Sequence, residues 1–344
     1  MQKPVVTLPR RVKRALIGGA GAAALVGLAA AAATAGLPPA GTITYVDLPA
    51  VTVPLPPAAG AQPGSPAAPA PSTVARLAAP EPDRGSGPPT TIDPALQDVT
   101  PWGAVPRIAP DGRTPLTHYA RPDAGDCRRP CVAAIVTGLG LAGKLTLRAL
   151  ALPGPVGLAF SPYAGPSAWQ GRARAAGHEA LLALPLQPER FPEDDSGPLT
   201  ILATAAPEQR LEMLLRVLAT GSGYVAVIAE AGAFATKPEA FAPLAQALAV
   251  RGIGLVEIGG AALAGQAQAG AIDVDPAPAA IDQALAALAA EALRSGRALA
   301  VAQPLPASFE RLTAWLASLP AQGIALVPPS RLLEPPAASA LARP

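Results

Sequence analysis

Histidine and cysteine are scarce in this sequence, whose 344 residues include only two of each. A structural zinc site usually takes four Cys or His ligands, and small secreted domains are held together by several disulfides. These counts exclude an array of zinc fingers and a disulfide-rich scaffold. Charge is also scarce, because Asp, Glu, Lys and Arg make up 15% of the chain and the formal net charge is +2. A protein that binds a polyanion needs enough positive charge to neutralise a row of phosphates, and this chain has too little. A polyanion-binding protein is therefore excluded.

Proline, by contrast, is abundant and unevenly placed. The chain has 44 prolines and 33 glycines, and 21 of the prolines lie between Pro38 and Pro130. Each proline removes a backbone donor and disfavours helix at the residue before it. Because the stretch also has few large apolar residues and no helical or strand period, we expect a disordered Pro/Ala-rich linker over residues 38–105.

The N-terminus combines a basic segment with an apolar run. Residues 1–14 hold five Lys or Arg side chains and no acid, and residues 15–37 carry no charge. At about 1.5 Å per residue, the apolar run spans the roughly 30 Å hydrocarbon core as one helix. A cleaved signal peptide is the alternative, since Ala33-Thr34-Ala35 fits a cleavage site, but the run is longer than the usual apolar core of such a peptide. We expect a signal anchor in a bacterial inner membrane, with residues 1–14 cytoplasmic and the rest in the periplasm.

From residue 132 to residue 333, short apolar runs alternate with helix-length segments. Because Gly or Pro bounds these runs, they predict buried parallel strands. Strands separated by helices indicate a parallel α/β fold, either a barrel or an open sheet, with its chemistry at the C-terminal ends of the strands. The eight predicted strands cover residues 132–137, 156–160, 180–184, 224–229, 254–258, 271–274, 298–302 and 324–327.

Two helix starts carry signals of their own. The sequence Thr236-Lys237-Pro238-Glu239 predicts a capping box with proline in the first turn. Asp275, followed by Pro276, predicts a cap for the helix whose apolar face includes Ile281 and Leu285.

A glycine-rich segment follows the first predicted strand. Gly138, Gly140 and Gly143 match G-x-G-x-x-G, and Gly138 to Lys144 matches G-x-x-x-x-G-K. Both patterns place backbone N–H groups around phosphate at a helix start. The phosphate loop, however, needs Ser or Thr where Leu145 stands, and the dinucleotide fingerprint lacks its acid after the second strand. Nucleotide binding is therefore a minor alternative.

Few side chains with metal or proton chemistry stand near the predicted strand ends. The candidates are four acidic residues, Glu230, Glu257, Asp273 and Asp275. No histidine lies at a strand end, and we interpret His178 as a packing or surface residue, because lone histidines are seldom ligands. The spacing of Cys127 and Cys131 allows a small disulfide loop outside the cytoplasm but does not establish it.

Three segments together resemble the divergent polysaccharide deacetylases of bacterial envelopes. The first is the lead-in from Pro106 to Pro115 with Tyr119-Ala120-Arg121-Pro122, and the second runs from Ala175 through Gly177-His178-Glu179 to Pro188. The third, Asp273-Val274-Asp275-Pro276, is similar to the family's D-N-D-P. The resemblance covers residues 106–333, and residues 334–344 are expected to form a flexible tail.

The resemblance implies a deformed (β/α) barrel, in which a divalent metal such as zinc, held by Asp and two His, activates water against an N-acetyl amide. The family's metal and proton positions fall here on residues without that chemistry. Its paired aspartates fall on Thr137 and Gly138, and three of its histidines fall on Ala183, Glu230 and Gln303. We therefore expect no metal site and no bound cofactor.

These replacements leave three functions open. The leading hypothesis is a non-catalytic, membrane-tethered periplasmic domain that binds an envelope glycan or an envelope protein through Glu230, Glu257, Asp273 and Asp275. An active carbohydrate N-deacetylase with Glu230, Asp273 and Asp275 around a harder metal is the first alternative. A purely structural partner in a murein-remodelling complex is the second. Whether the chain is an enzyme acting on C–N amide bonds thus stays undecided by the sequence.

Overall fold

In the computed structural model of this protein, residues 87–122, 127–259 and 267–333 are described. Among those residues, no helix has both the length and the apolar character needed to cross a membrane. The predicted cytoplasmic segment, membrane span and tail, and residues 38–86 of the predicted linker, lie outside the described ranges.

The end of the predicted linker is ordered, which corrects its boundary at residue 105. After a short 3₁₀ helix (Pro94–Leu96), strand β1 (Gln97–Thr100) pairs in antiparallel fashion with β2 (Gly103–Pro106). Leu96 is buried there. The proline count misled the prediction because proline fits the first turn of a helix and the end of an edge strand without disrupting either.

Seven α-helices form in the described residues, besides short 3₁₀ helices, and most of the seven begin with proline. Proline suits the first helical position because its missing N–H would have had no partner there. It starts every α-helix except α2 (Gly143–Ala149), so these prolines initiate helices, and one further proline, Pro243, lies inside a helix (Pro238–Ala249). The helices are α1 (Pro115–His118), α2 (Gly143–Ala149), α3 (Pro166–Ala175), α4 (Pro207–Leu218), α5 (Pro238–Ala249), α6 (Pro278–Ser295) and α7 (Pro306–Ser318).

Seven parallel strands close into a barrel with these helices outside. Neighbours in sequence pair along the sheet, and β3 (Cys131–Leu139) pairs with both β4 (Gly157–Phe160) and β9 (Arg297–Ala302), which closes it. This settles the choice between a barrel and an open sheet. A short strand, β10 (Ala325–Leu326), also pairs with the start of β3. The barrel strands are β3 (Cys131–Leu139), β4 (Gly157–Phe160), β5 (Ala180–Leu184), β6 (Ala226–Glu230), β7 (Gly254–Ile258), β8 (Ala267–Ala271) and β9 (Arg297–Ala302).

Two layers of apolar side chains hold the barrel, because successive residues of a strand point to opposite faces. The inner layer fills the barrel with side chains such as Ile135, Leu181, Ile228 and Val256. The outer layer packs the alternate residues against the helices. Apolar side chains from outside the barrel join the inner layer; they are Leu96, Leu116, Tyr119, Leu332 and Leu333.

Three local predictions need correction. The sixth predicted strand, at residues 271–274, forms four residues earlier as β8, where it pairs with β7 and β9. Thr236 does not cap α5, because Lys237 is the N-cap residue and the Thr236 hydroxyl donates to the carbonyl of Ala233. Asp275 is not the N-cap of α6, because Ala277 holds that position. The Asp275 carboxylate lies two residues before it and accepts from the N–H of Ala277.

Candidate functional site

The mouth of the barrel, where the seven strands end, is the candidate site. Strand alternation continues the inner layer to the last residues of the strands. In β3, Ile135 points into the barrel, so Thr137, two residues later, is on the same side. In β6, Ile228 points into the barrel and Glu230 follows it on the same side. By the same register Ala183, Ile258 and Ala271 face the mouth, and Ser161 and Gln303 directly follow β4 and β9.

Four positions at which the family carries catalytic groups therefore share this mouth. Thr137 is half-buried, Ala183 is half-buried, and Glu230 and Gln303 are exposed. Gly138 follows with a left-handed backbone (φ +69°) and lies beside Pro304. The predicted degenerate positions are thus brought to one end of the barrel, on four different strands or the loops that follow them.

The glycine-rich segment serves the backbone, not a phosphate. Gly140 has φ +101°, and a Cβ added to it would lie 2.5 Å from the Cβ of Ala164. Its N–H donates to the Thr146 hydroxyl at 2.9 Å, and that hydroxyl donates in turn to the carbonyl of Ala142. A donor that points at its own helix is not available to an anion. A tight turn therefore explains Gly138 and Gly140, which both have a left-handed backbone, but not Gly143.

The four predicted substrate-binding acids do not form one site. Glu230 ends β6 at the mouth, whereas Glu257 is buried on the helix-facing side of β7 and accepts from Gln268 Nε2 at 2.9 Å. Asp273 is buried and accepts from the N–H of Gln303 at 2.7 Å and from the Ser308 hydroxyl at 2.6 Å. Asp275 is exposed and bonds its own loop.

The family's metal does not fit this set of side chains. In the part of the chain that the structure describes, no three His, Cys, Asp or Glu residues converge as a metal site would require. The Asp273 carboxylate already accepts a hydrogen bond from Ser308 at the start of α7. Beside Glu230, the residues at the mouth are Thr137, Gln303 and Ala183, which offer a hydroxyl, an amide and a methyl group. Zinc prefers imidazole, thiolate and carboxylate ligands, so the positions are chemically unsuited to it.

His178 lies at the opposite end of the barrel and is fully buried. Its Nδ1 lies 2.9 Å from the carbonyl oxygen of Val156, and its Nε2 lies 3.3 Å from that of Leu150. Burial lowers the pKa of His178, so the neutral ring is favoured, and such a ring donates from one nitrogen only. The interpretation of His178 as a packing residue is confirmed.

Glu179, next to it, joins three segments of the chain. Its carboxylate accepts from the Arg121 backbone N–H at 2.9 Å, the Ser330 N–H at 2.9 Å and the Ser330 hydroxyl at 2.5 Å. Burial raises the pKa of Glu179, and the hydrogen bonds from Ser330 and Arg121 oppose this effect. The Arg121 guanidinium donates to the carbonyl of Gly177 at 2.8 Å.

Sequence reasoning missed this network, although Arg121 and Glu179 stand in the motifs that carried the resemblance and only Ser330 lies outside them. Arg121 belongs to the lead-in, and Glu179 follows His178 in the second motif. The motifs therefore did indicate these residues, but as residues that stabilise the N-terminal face of the barrel. Residues at that face support the fold and not the chemistry.

Cys127 and Cys131 are joined by a disulfide, which settles the question that their spacing left open.

A closed barrel of parallel strands, with helices outside and the candidate site at the carboxyl ends, is the α/β fold of deacetylase type. The sequence profile of the divergent polysaccharide deacetylase family matches residues 134–333, which is more than half of the chain. The chain therefore belongs to that family. No curated protein matches it.

Two of the solved structures that are similar to this chain are compared with it by identity and coverage. An uncharacterized protein from Agrobacterium tumefaciens is 30% identical, with a TM-score of 0.63 over 67% of this chain and 100% of its own. A proposed cellobiose-phosphate cleavage protein from Enterococcus faecalis is 11% identical, with a TM-score of 0.44 over 59% of this chain and 98% of its own. Only the first is close enough to support the fold.

Proposed function

We propose that this chain is a degenerate polysaccharide deacetylase that binds an envelope glycan or an envelope protein at the barrel mouth without hydrolysing it. The observation that carries the proposal is the chemistry at the family's catalytic positions. Thr137, Gly138, Ala183 and Gln303 supply no carboxylate and no imidazole. Acids stand at two family positions, Glu230 at the mouth and Glu257, which faces the helices and accepts from Gln268.

The physical argument concerns the water that would attack the amide. A bound metal lowers the pKa of water from about 16 towards about 7, and this step needs ligands that hold the metal firmly. Without a metal, a general base with a suitable pKa must take the proton. A threonine hydroxyl and a glycine do neither, and Asp273 already accepts hydrogen bonds from Gln303 and Ser308.

The proposed location rests on the first residues of the chain. The basic segment 1–14 and the uncharged run 15–37 support a signal anchor with the barrel on the periplasmic side of an inner membrane. The proline-rich stretch after it would separate the barrel from the bilayer.

The test combines a metal titration, a turnover assay and a binding measurement on the full chain. With zinc, manganese or magnesium and an N-acetylglucosamine oligosaccharide, we expect no acetate release above that of a denatured control. Calorimetry should show saturable binding of that oligosaccharide or of an envelope protein, weakened by Glu230→Gln and unchanged by Glu239→Gln on the surface of α5. Acetate release that needs a metal and is lost in Glu230→Gln would refute the non-catalytic assignment.

The two proposed ligands give different outcomes. Heat of binding with the oligosaccharide favours the glycan. No heat, together with a stoichiometric complex with an envelope protein that the Glu230 variant weakens, favours the protein. Binding of neither would leave only a structural role and would contradict the proposal.

A further inference from the structure

The exposed charges of the folded part are separated between the two ends of the barrel, although the net charge of the chain is only +2. Around the mouth, carboxylates predominate in the loops after β5 and β8 and at the end of β6. The opposite end, where the strands begin, exposes arginines instead. The exposed acids at the mouth are Glu189, Glu193, Asp194, Asp195, Glu230 and Asp275.

Three arginines define a positive surface at that opposite end, which we call the base. Arg129 lies two residues before β3, Arg297 is the first residue of β9, and Arg331 lies in a 3₁₀ helix (Pro329–Leu332). The parallel pairing of β3 with β9 brings the first two together, and the 3₁₀ helix bonds Glu179 at the same end. All three side chains are exposed, and no guanidinium among them forms a hydrogen bond or ion pair with another described residue.

The ends of the helices explain only part of this charge. A helix C-terminus favours a basic residue, and the helices end at the base because they run antiparallel to the strands. Arg297 directly follows the C-cap residue of α6, so this effect accounts for it. Arg129, in a loop, and Arg331, in a 3₁₀ helix of four residues, have no such cause. Because like charges on one face repel each other, the base favours an anionic partner.

The described part of the chain also begins at the base. Gly87 lies beside Gly177 and the carbonyl of Arg174. The residues before it, which include the proposed signal anchor at 15–37, are therefore joined to the barrel at its positive end. A bilayer that holds this anchor can meet the base without the chain having to wrap around the barrel.

From the charge and the point of attachment we infer that the base docks on an anionic phospholipid bilayer, with Arg129, Arg297 and Arg331 against the headgroup phosphates. Guanidinium groups suit phosphate because their donors match its oxygens in pairs. Each basic side chain near such a surface strengthens the contact about fivefold, so three of them strengthen it about 100-fold. A patch of this size serves scattered headgroups, whereas the continuous phosphates of a nucleic acid require more cations.

Docking at the base goes beyond the proposed function of the mouth and does not depend on it. The proline-rich stretch allows the barrel to leave the bilayer, and the base would draw it back with the mouth facing away. The same anionic surface would repel the exposed acids of the mouth, so both ends favour one orientation.

The experiment measures which end of the barrel approaches the lipid. The full chain is added to phosphatidylcholine vesicles with and without phosphatidylglycerol, and a dye on a new cysteine transfers energy to an acceptor on the lipid headgroups. Ala321→Cys labels the base and Ala235→Cys labels the mouth, since both alanines are exposed and the native cysteines are joined. We expect phosphatidylglycerol to raise transfer from the Ala321 label above that from the Ala235 label, and high salt to cancel the rise.

Replacing the arginines tests whether their charge is the cause. Arg129→Gln, Arg297→Gln and Arg331→Gln together should abolish the rise, and Arg331→Gln alone should reduce the affinity for anionic vesicles about fivefold. Lysine at the same three positions should keep the rise. Because these side chains have no partner among the described residues, the melting temperature should not change. The matched control removes three positive charges from exposed residues at the mouth and should keep the rise: Lys144→Gln, Arg190→Gln and Lys237→Gln.

Four results would overturn the inference. They are equal transfer from the two labels on anionic vesicles, a rise that the base and mouth variants reduce alike, and a rise that phosphatidylglycerol produces only at the Ala235 label. The fourth is salt-sensitive oligomers in the absence of lipid that the triple base variant abolishes, because a second copy would then cover the base. Insertion of residues 15–37 alone raises transfer equally in both kinds of vesicle and does not produce the expected difference.

Discussion

Asp273 and Gln303 are joined by a 2.7 Å hydrogen bond from the backbone N–H of Gln303 to the carboxylate, although 30 residues separate them in sequence. The same oxygen accepts from the Ser308 hydroxyl at the start of α7. The family motif that contains Asp273 thus fixes the loop after β9, where a family histidine is replaced by glutamine. Its carboxylate is a positioning group for the mouth.

Asp273→Ala should therefore destabilise the barrel. The substitution leaves a backbone N–H and a buried hydroxyl without their acceptor, which costs about 1–3 kcal/mol of the free energy of unfolding. Urea denaturation measures this change. Asp275→Ala, which removes an exposed acid from the same loop, is expected to cost less than about 1 kcal/mol, and equal losses would contradict the positioning role.

Gly140→Ala and Gly143→Ala should differ strongly despite being the same substitution three residues apart. Gly140 needs a left-handed backbone and has no room for a Cβ beside Ala164, whereas nothing lies within 4 Å of a Cβ added to Gly143. We expect a loss above about 1 kcal/mol for the first and little change for the second. Thermal unfolding checks this. Similar stabilities would mean that the glycine pattern has another purpose.

His178 should make stability depend on pH. Its folded-state pKa lies below the ordinary value of 6.5, so the unfolded state takes up a proton first as the pH falls. The stability that the neutral ring provides is fully present above about pH 6.5 and is lost below it, with a slope of up to about 1.4 kcal/mol per pH unit.

Denaturant titrations between pH 5 and pH 8 measure that slope. His178→Gln should flatten it, even if the variant is less stable at every pH. His118→Gln, which removes the other, half-buried histidine, should keep it. A parent protein whose stability does not fall as the pH falls in this range would contradict the lowered folded-state pKa of His178.

The disulfide should contribute modestly to stability. It closes a loop with a sequence separation of four, for which the chain-entropy relation gives about 2 kcal/mol. Cys127→Ser is the suitable variant because Cys127 is exposed and Cys131 is buried. Reductant should lower the stability of the parent to that of Cys127→Ser and should leave the variant unchanged. An effect of reductant on the variant would show that it acts elsewhere.

Restoring the two leading aspartates should not restore catalysis. Thr137→Asp with Gly138→Asp meets no clash, because Pro304 leaves ordinary contact distance at Gly138, although the left-handed backbone there strains any side chain, and aspartate less than most. Three of the family's histidines remain absent at Ala183, Glu230 and Gln303, so no metal-dependent acetate release is expected. Turnover by this double variant alone would show a site much less degraded than proposed.

Much of the barrel could be predicted from local patterns. The strands at Ala180–Leu184 and Gly254–Ile258 form at the predicted bounds because both are apolar runs buried on two faces. Strand β8 was displaced because Ala-Gln-Ala-Gly-Ala has weak strand propensity, and only its pairing with β7 and β9 selects it. Tertiary pairing of this kind leaves no local trace.

The candidate site was harder to predict than the fold. The resemblance located Thr137, Glu230 and Gln303, which the barrel brings to one mouth. The resemblance could not show that the Asp273 carboxylate accepts a hydrogen bond from Ser308, or that Glu257 faces the helices. Both facts depend on contacts between segments distant in sequence. Position near a strand end alone therefore does not place acidic residues in one site, because successive residues of a strand point to opposite faces of the sheet.

The Glu179 network has a consequence for orientation. Its partners Arg121 and Ser330 belong to the segments that enter and leave the barrel, and Gly87 and Leu333 lie at this same end, close to Gly177 and Gly254. Among the described residues, the chain therefore enters and leaves the barrel at the end opposite the mouth. The carboxylate of Glu179 thus ties the first and last described segments to each other on the side where the fold is held together, and not on the side of the candidate site.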